Sequence, residues 1–153
     1  MSGRASDELM MRRALELAEQ SALAGEVPVG AVIVLRGEII AAGKNWRETG
    51  QNALHHAELE AINNACRILS SWRLLDCELF VTLEPCAMCA GAAINARLSR
   101  VVFGAYDKKA GSCGSVINLF ELPYNHKPEL TGGVLESECA ELLSGFFKKL
   151  RLK

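Results

Sequence analysis

The chain has no charge imbalance. Seventeen lysines and arginines stand against 18 aspartates and glutamates, a formal net charge of −1. Proteins that coat nucleic acid without specificity carry a large basic excess, so any nucleic-acid contact here must belong to a local patch. Lys148 to Lys153 is the candidate, with four basic residues and no acidic one. It reads either as the solvated end of a helix or as an RNA contact. No clean apolar segment follows a basic start. Asp7, Glu8, Arg12, Arg13 and Glu16 crowd the beginning of the chain, a pattern incompatible with a signal peptide. No uncharged run approaches the roughly 20 residues that cross a bilayer. The expectation is a cytoplasmic protein with no membrane association.

Other absences narrow the chemistry. There is no internal repeat, low-complexity tract or Pro/Ser-rich linker, so residues 1–153 are expected to form a single domain. Half of the residues are hydrophobic, enough for a real core and too many for a disordered chain. Neither G-x-G-x-x-G nor G-x-x-x-x-G-K occurs, which leaves a dinucleotide or triphosphate site without support. Ser70 and Ser71 lack the strand-to-helix elbow of a nucleophilic serine. Aromatic residues are few: two tryptophans, two tyrosines and five phenylalanines. Trp46, Tyr106, Phe146 and Phe147 are candidates for stacking on a base, against the ordinary role of core packing, which suits Phe146 better. Six cysteines in a cytoplasmic chain do not form a disulfide framework. Cys66, Cys77 and Cys139 read as small buried hydrophobes.

Hydrophobic patterning predicts alternating helices and strands. Ser6 or Asp7 is expected to cap a helix that runs to about Ala24 and stops at Gly25, with Met11, Leu15, Ala18 and Ala22 as its buried stripe. Val29–Leu35 is a short β-branched run and reads as a buried strand. Arg36-Gly37 turns the chain into a second strand, Glu38–Ala42. Residues 45–52 are polar and read as a loop. A helix over His56–Leu69 precedes a strand at Glu78–Leu83, which Pro85 ends. A nearly uncharged helix covers Cys86–Leu98 and a strand Arg100–Ala105. Residues 106–128 are loop-rich, with a short helix at Val116–Phe120, and Ser137 is expected to cap a last helix. This order predicts an α/β fold with three layers, α-β-α, around a mixed central sheet: a hairpin at one side and a parallel portion flanked by helices.

Two short motifs carry the chemistry. His56-Ala57-Glu58 and Pro85-Cys86-Ala87-Met88-Cys89 each follow a strand and open a helix, so both gather where open α/β sheets bind their substrates. Cys86 and Cys89 are three apart and neighbour each other on a helix surface. A helix N-terminus favours the thiolate that zinc needs. His56 and Glu58 can converge only near the helix end. That spacing divides the labour: His56 binds the metal, and Glu58 reaches the water the metal activates. Three protein ligands leave an open tetrahedral position, the mark of a catalytic zinc site. A closed structural site would need His55 or Cys113 as a fourth ligand. A redox pair would leave His-Ala-Glu without a role. H-x-E with P-C-x-x-C is instead a deaminase signature, in which zinc and the glutamate together replace an amino group by a carbonyl.

The sequence resembles the bacterial tRNA-specific adenosine deaminases, within the cytidine-deaminase superfamily, over nearly its whole length. Matching segments are Gly25 to Val32, Gly43-Lys44-Asn45, His56-Ala57-Glu58 and Thr82 to Ala92. Arg97, Val101 to Ala105, Asp107, Gly114-Ser115, Asn125-His126 and Phe146-Phe147 continue the match. The resemblance implies a cytidine-deaminase-like fold, zinc held by His56, Cys86 and Cys89, and Glu58 as the catalytic proton shuttle. It implies hydrolytic deamination of the wobble adenosine of a tRNA anticodon stem-loop to inosine. Asn45 would hydrogen-bond the purine, a role that competes with an ordinary turn function for asparagine. Val27 and Leu83 would line the pocket, and the Ala57 backbone would hold the ring edge. Asp107, Lys109, Phe147 and the basic tail would touch RNA, and the protein would act as a homodimer. His55 and Trp46 depart from the family pattern, which has smaller residues at both places. Two rivals remain at this point: a free-base or nucleoside deaminase acting on guanine, cytosine or cytidine, and a non-catalytic partner subunit, against which the presence of Glu58 argues.

Overall fold

The structure, a computed structural model, describes residues 3–152. Its centre is a five-stranded mixed sheet in the order β2-β1-β3-β4-β5. Strands β1 (Gly30–Leu35) and β2 (Glu38–Lys44) form an antiparallel hairpin. Arg36 and Gly37 make its turn with φ of 50° and 81°, the paired left-handed conformations that suit the twist of a two-residue hairpin. β1 runs antiparallel to β3 (Cys77–Leu83), which is parallel to β4 (Arg100–Ala105), and β4 is parallel to β5 (Glu129–Thr131). The carboxyl ends of β2, β3 and β4 therefore share one edge of the sheet.

Helices cover both faces, so strand residues alternate between two cores. Ile33, Leu79, Val81, Val101 and Phe103 face α3 (Ala57–Leu69) and α4 (Ala87–Asn95), against Ala61, Ala65, Ala90 and Ala93. Val32, Val34, Phe80 and Val102 face α1 (Gly3–Leu23) and α5 (Glu136–Arg151), against Met11, Leu15 and Cys139. Small residues on α3 and α4 let those helices lie close to the sheet. For α3 the approach is close at Gly43, where a Cβ would fall 2.3 Å from the Ala57 carbonyl oxygen. Only a residue without a side chain fits there, and the contact brings the first turn of α3 down onto the end of β2.

The three-layer α-β-α architecture agrees with the patterning, and the differences have local causes. Neither Ser6 nor Asp7 caps α1. The helix already runs from Gly3, and the Asp7 carboxylate is turned onto Arg100. Ala22 of the expected stripe is half-buried, whereas Met11, Leu15 and Ala18 are buried. Ser137 does not cap α5, which starts at Glu136 after Leu135 in the left-handed conformation. α4 stops at Asn95 rather than Leu98, because Arg97 takes φ of 62° and the Leu98 N–H folds back onto the Ala93 carbonyl. Within the polar 45–52 stretch a single turn of helix forms, α2 (Arg47–Gly50). The short helix expected at Val116–Phe120 is a 3₁₀ turn at Leu119–Glu121, which the Asn118 side chain caps by accepting from the Phe120 N–H. β5 is three residues long, with none of them buried, and carries too little alternation to be seen in advance. All six cysteines are free. Cys77 and Cys139 are buried and Cys66 is half-buried. No helix among the described residues is long and apolar enough to cross a membrane.

Candidate metal centre and substrate cleft

The metal donors sit where two helices begin at the shared sheet edge. His56 is the N-cap residue of α3 and Cys86 that of α4, both with extended backbone, and neither side chain caps its own helix. Both side chains are therefore free to point outward. Cys89, one turn into α4, completes the set. His56 Nδ1 lies 3.7 Å from Cys86 Sγ and 3.5 Å from Cys89 Sγ, and all three donor atoms lie within 4.8 Å of one another. A tetrahedral zinc with Zn–S near 2.3 Å and Zn–N near 2.0–2.1 Å would separate such donors by about 3.6 Å. Nitrogen and sulfur donors at this spacing fit zinc.

Electrostatics favour a cation at this point. The Cys86 thiol is held down to about 4, first by its hydrogen bond with Cys89, then, against the cost of burial, by His56. Cys89, facing that sulfur from a buried position, is pushed well above its ordinary range. The hydrogen bond with Cys86 raises His56. Two helix N-termini converge here and favour negative charge on the sulfurs. Glu58, in the first turn of α3, is 4% exposed. Burial above all pushes its carboxyl up to about 7.

Among the described residues, His56, Cys86 and Cys89 are the one His/Cys/Asp/Glu group able to hold a metal. His55 stacks on Trp46 instead, with ring centroids 3.5 Å apart and planes 17° from parallel. Cys113 is buried and its thiol is raised to about 12 by burial. Neither closes the fourth position. The buried Trp46 Nε1 and His55 Nδ1 have no hydrogen-bond partner, so this pair is held by ring contact rather than by polar anchoring.

Above the donors opens a cleft of about 590 Å³, within the roughly 300–1,000 Å³ typical of small-molecule sites. The structure brings to it His56, Glu58 and Cys86 at the metal end, with Cys89 buried behind them, then Val27, Asn45, Ala57 and Leu83, then Tyr106, Asp107, Lys109 and Phe147, whereas Trp46, Phe146 and the basic residues Lys148, Lys149 and Arg151 do not line it. The Asn45 amide donates to the Val27 carbonyl (3.0 Å), and its oxygen accepts from the Arg47 N–H (3.3 Å). One N–H and one lone pair of that amide stay uncommitted by these bonds. Phe147 is 41% exposed, and Phe146 meets it edge-on from a half-buried position. Lys148, Lys149 and Arg151 are exposed, and Lys153 lies outside the described residues.

Arg47, Lys108 and Leu143 also line the cleft, and the motifs do not reveal them. Arg47 is placed by α2, whose N–H groups at Glu48 and Thr49 donate to the buried Glu26 carboxylate, as does the Thr49 hydroxyl. A glutamate 22 residues earlier in the chain as an anchor leaves no local sequence signal.

Residues 5–151 match the MafB19-like deaminase family. The chain is 51% identical over 148 residues to a tRNA-specific adenosine deaminase of Bacillus subtilis, covering 96% of this chain and 92% of that protein. It is 49% identical to one of Rickettsia bellii, covering 92% and 99%. Among solved structures it resembles a deaminase that edits adenosine to inosine at the wobble position of transfer RNA, with TM-score 0.86, 41% identity and coverage of 88% and 99%. A guanine deaminase of Nitrosomonas europaea is similar in shape at TM-score 0.81 and 28% identity, covering 91% and 83%.

Proposed function

The chain belongs to the MafB19-like deaminases and to the tRNA-specific adenosine deaminases, and from that premise we propose that it hydrolyses the amino group of the wobble adenosine in a tRNA anticodon loop, giving inosine and ammonia. The observation that carries this reading is the His56, Cys86 and Cys89 triad with buried Glu58 beside it, set at the floor of a cleft rimmed by Arg47, Lys108 and Lys109.

Zinc on His56, Cys86 and Cys89 supplies a Lewis acid that makes water nucleophilic near neutral pH. The protein does the rest. Glu58 takes one proton of the attacking water and gives it to ring N1 as C6 becomes tetrahedral; it then takes the remaining proton from the C6 hydroxyl and passes it to the amine, which leaves as ammonia as the C6 carbonyl forms. Buried beside the donors, it exchanges those protons without loss to solvent. Asn45, preset by Val27 and Arg47, offers its remaining donor and acceptor to the purine edge. Val27 and Leu83 supply apolar faces, and the Ala57 backbone holds the ring edge. Asp107, Lys109, Phe147 and the basic tail contact the RNA, where unpaired bases can be splayed out of the loop and stacked. The protein acts in the cytoplasm as a homodimer. Light scattering should give twice the 16.6 kDa chain mass.

The test is incubation of zinc-loaded protein with an anticodon stem-loop carrying a wobble adenosine, beside tubes of free adenosine, guanine, cytosine and cytidine. Inosine in the stem-loop alone supports the proposal. The likeness to a guanine deaminase keeps one rival in view. Turnover of a free base, with the RNA untouched, would retain the zinc chemistry and overturn the tRNA substrate.

A further inference from the structure

Glu84 stands one residue beyond β3 and two before Cys86, and it is 2% exposed. Both of its oxygens are filled. Oε1 accepts from the Asp107 N–H (3.0 Å) and the Ser115 hydroxyl (2.5 Å). Oε2 accepts from the N–H groups of Cys113 (3.1 Å) and Ser115 (3.0 Å). All of these donors lie on one loop, residues 107–115, which wraps the carboxylate. Converging backbone N–H groups form an anion-binding nest, and here the anion belongs to the chain itself. The wrap is tight at Gly111, where a Cβ would fall 2.3 Å from Glu84 Cδ.

The inner side of the loop is thus committed to Glu84, and the outer side carries Lys108 and Lys109, both exposed and both on the cleft rim. Asp107 shapes that outer side by accepting from the N–H groups of Lys109 (3.0 Å) and Ala110 (3.2 Å). With its lone pairs used by the loop, Glu84 has none left for substrate or for proton transfer, although its side chain borders the cleft.

We propose that Glu84 is the positioning residue of the substrate rim: its carboxylate holds the 107–115 loop so that Lys108 and Lys109 face the phosphates of the bound RNA loop. This rests on the deaminase reading above. It places Glu84 in control of substrate binding and leaves the chemical step to Glu58 and the metal donors. An amide in its place presents N–H to N–H on one side, and the loop opens to let water satisfy the stranded donors.

The experiment compares zinc-loaded wild type, Glu84→Gln and Ser115→Ala on the wobble-adenosine stem-loop. It reads kcat and KM, zinc per chain, and the rate of trypsin cleavage after Lys108 and Lys109. Phosphate contacts set affinity, so Glu84→Gln is expected to raise KM about tenfold while kcat stays within about threefold. Zinc should stay bound, and trypsin should cut the loop about ten times faster, since cleavage follows the open fraction. Ser115→Ala removes one of the bonds and should shift KM and cleavage the same way by less. If Glu84→Gln does not fold, Ser115→Ala decides alone. A fall in kcat at constant KM would overturn the proposal. So would loss of zinc in step with activity, or unchanged KM and cleavage in both variants. Wild type that leaves the stem-loop unedited would sink the tRNA reading and the substrate role with it. The trypsin comparison would still decide whether Glu84 anchors the loop.

Discussion

The Arg100 guanidinium grips Asp7 across 93 positions of sequence, with Nη2 2.5 Å from Oδ2 and Nη1 3.1 Å from Oδ1. Nη1 also donates to Glu78 Oε2 (2.7 Å), and Nε and Nη2 donate to the Thr131 hydroxyl. One side chain thereby ties α1, β3, β4 and β5 together at the sheet edge opposite the metal donors. The partners are 21% and 13% exposed, so solvent discounts the full value of a buried pair. Arg100→Met should still cost about 2–3 kcal/mol by stranding two carboxylates, which lowers the melting temperature by roughly 5–10 °C. Zinc content and kcat should not change. A thermal melt indistinguishable from wild type would show that the network is merely solvated surface.

Glu58 and the metal should prove separable. Glu58→Gln keeps the shape of a buried side chain and removes its capacity to take a proton. Zinc should remain bound, because the donors are His56, Cys86 and Cys89. Turnover of the stem-loop should fall by about 10²–10⁴-fold, the usual contribution of a positioned acid-base group. Substantial retained activity at full zinc occupancy would remove Glu58 from the proton path.

Chelation should act on stability and activity together. The donors join the N-terminus of α3 to the first turn of α4, so a metal held there staples two helices that otherwise meet through small side chains. Metal removal is expected to abolish deamination and lower the melting temperature, and added zinc should restore both. Activity that survives exhaustive chelation would refute a metal-dependent mechanism.

The metal site was legible because its logic is local. His56-Ala57-Glu58 and Cys86 to Cys89 each lie within one helical turn, and the strands before them are bounded by turn signals, Arg36-Gly37 before the first and Pro85 after the second. The alternation of Val32 against Ile33 and of Val102 against Phe103 reports two buried faces without any structure. What stayed hidden depends on distant partners. Asp7 looks like a helix cap until Arg100, far along the chain, claims it. α2 exists because a glutamate from the turn after α1 fills its N-terminus. β5 is short and half-solvated, and it becomes a strand only by pairing with β4. Lys108 is an ordinary exposed lysine until Glu84 fixes the loop that carries it.

Glu26 provides the sharpest pH test of such a hidden partner. It is buried at 1% exposure, and burial raises its pKa. The Thr49 hydroxyl, the N–H groups of Thr49 and Glu48, and the Arg47 charge more than offset this and hold the carboxyl below its ordinary 4.5. A carboxyl depressed in the folded state stabilises that state fully above its unfolded value and loses the contribution as pH falls through the folded value. Glu26→Gln should therefore be less stable than wild type at neutral pH, by about 1–3 kcal/mol for a buried acceptor that is lost. As pH falls below the unfolded value of about 4.5 the gap should begin to narrow, and it should close only once the pH is below the depressed folded value, where wild type protonates its own Glu26. Acid also protonates the metal donors, but it does so in both proteins, so the difference between their urea midpoints isolates Glu26. Midpoints measured from about pH 7 down through the acid range check the prediction. A gap that stays constant over that range would mean that the Glu26 charge does not hold α2, and that shape alone fixes Arg47 at the cleft.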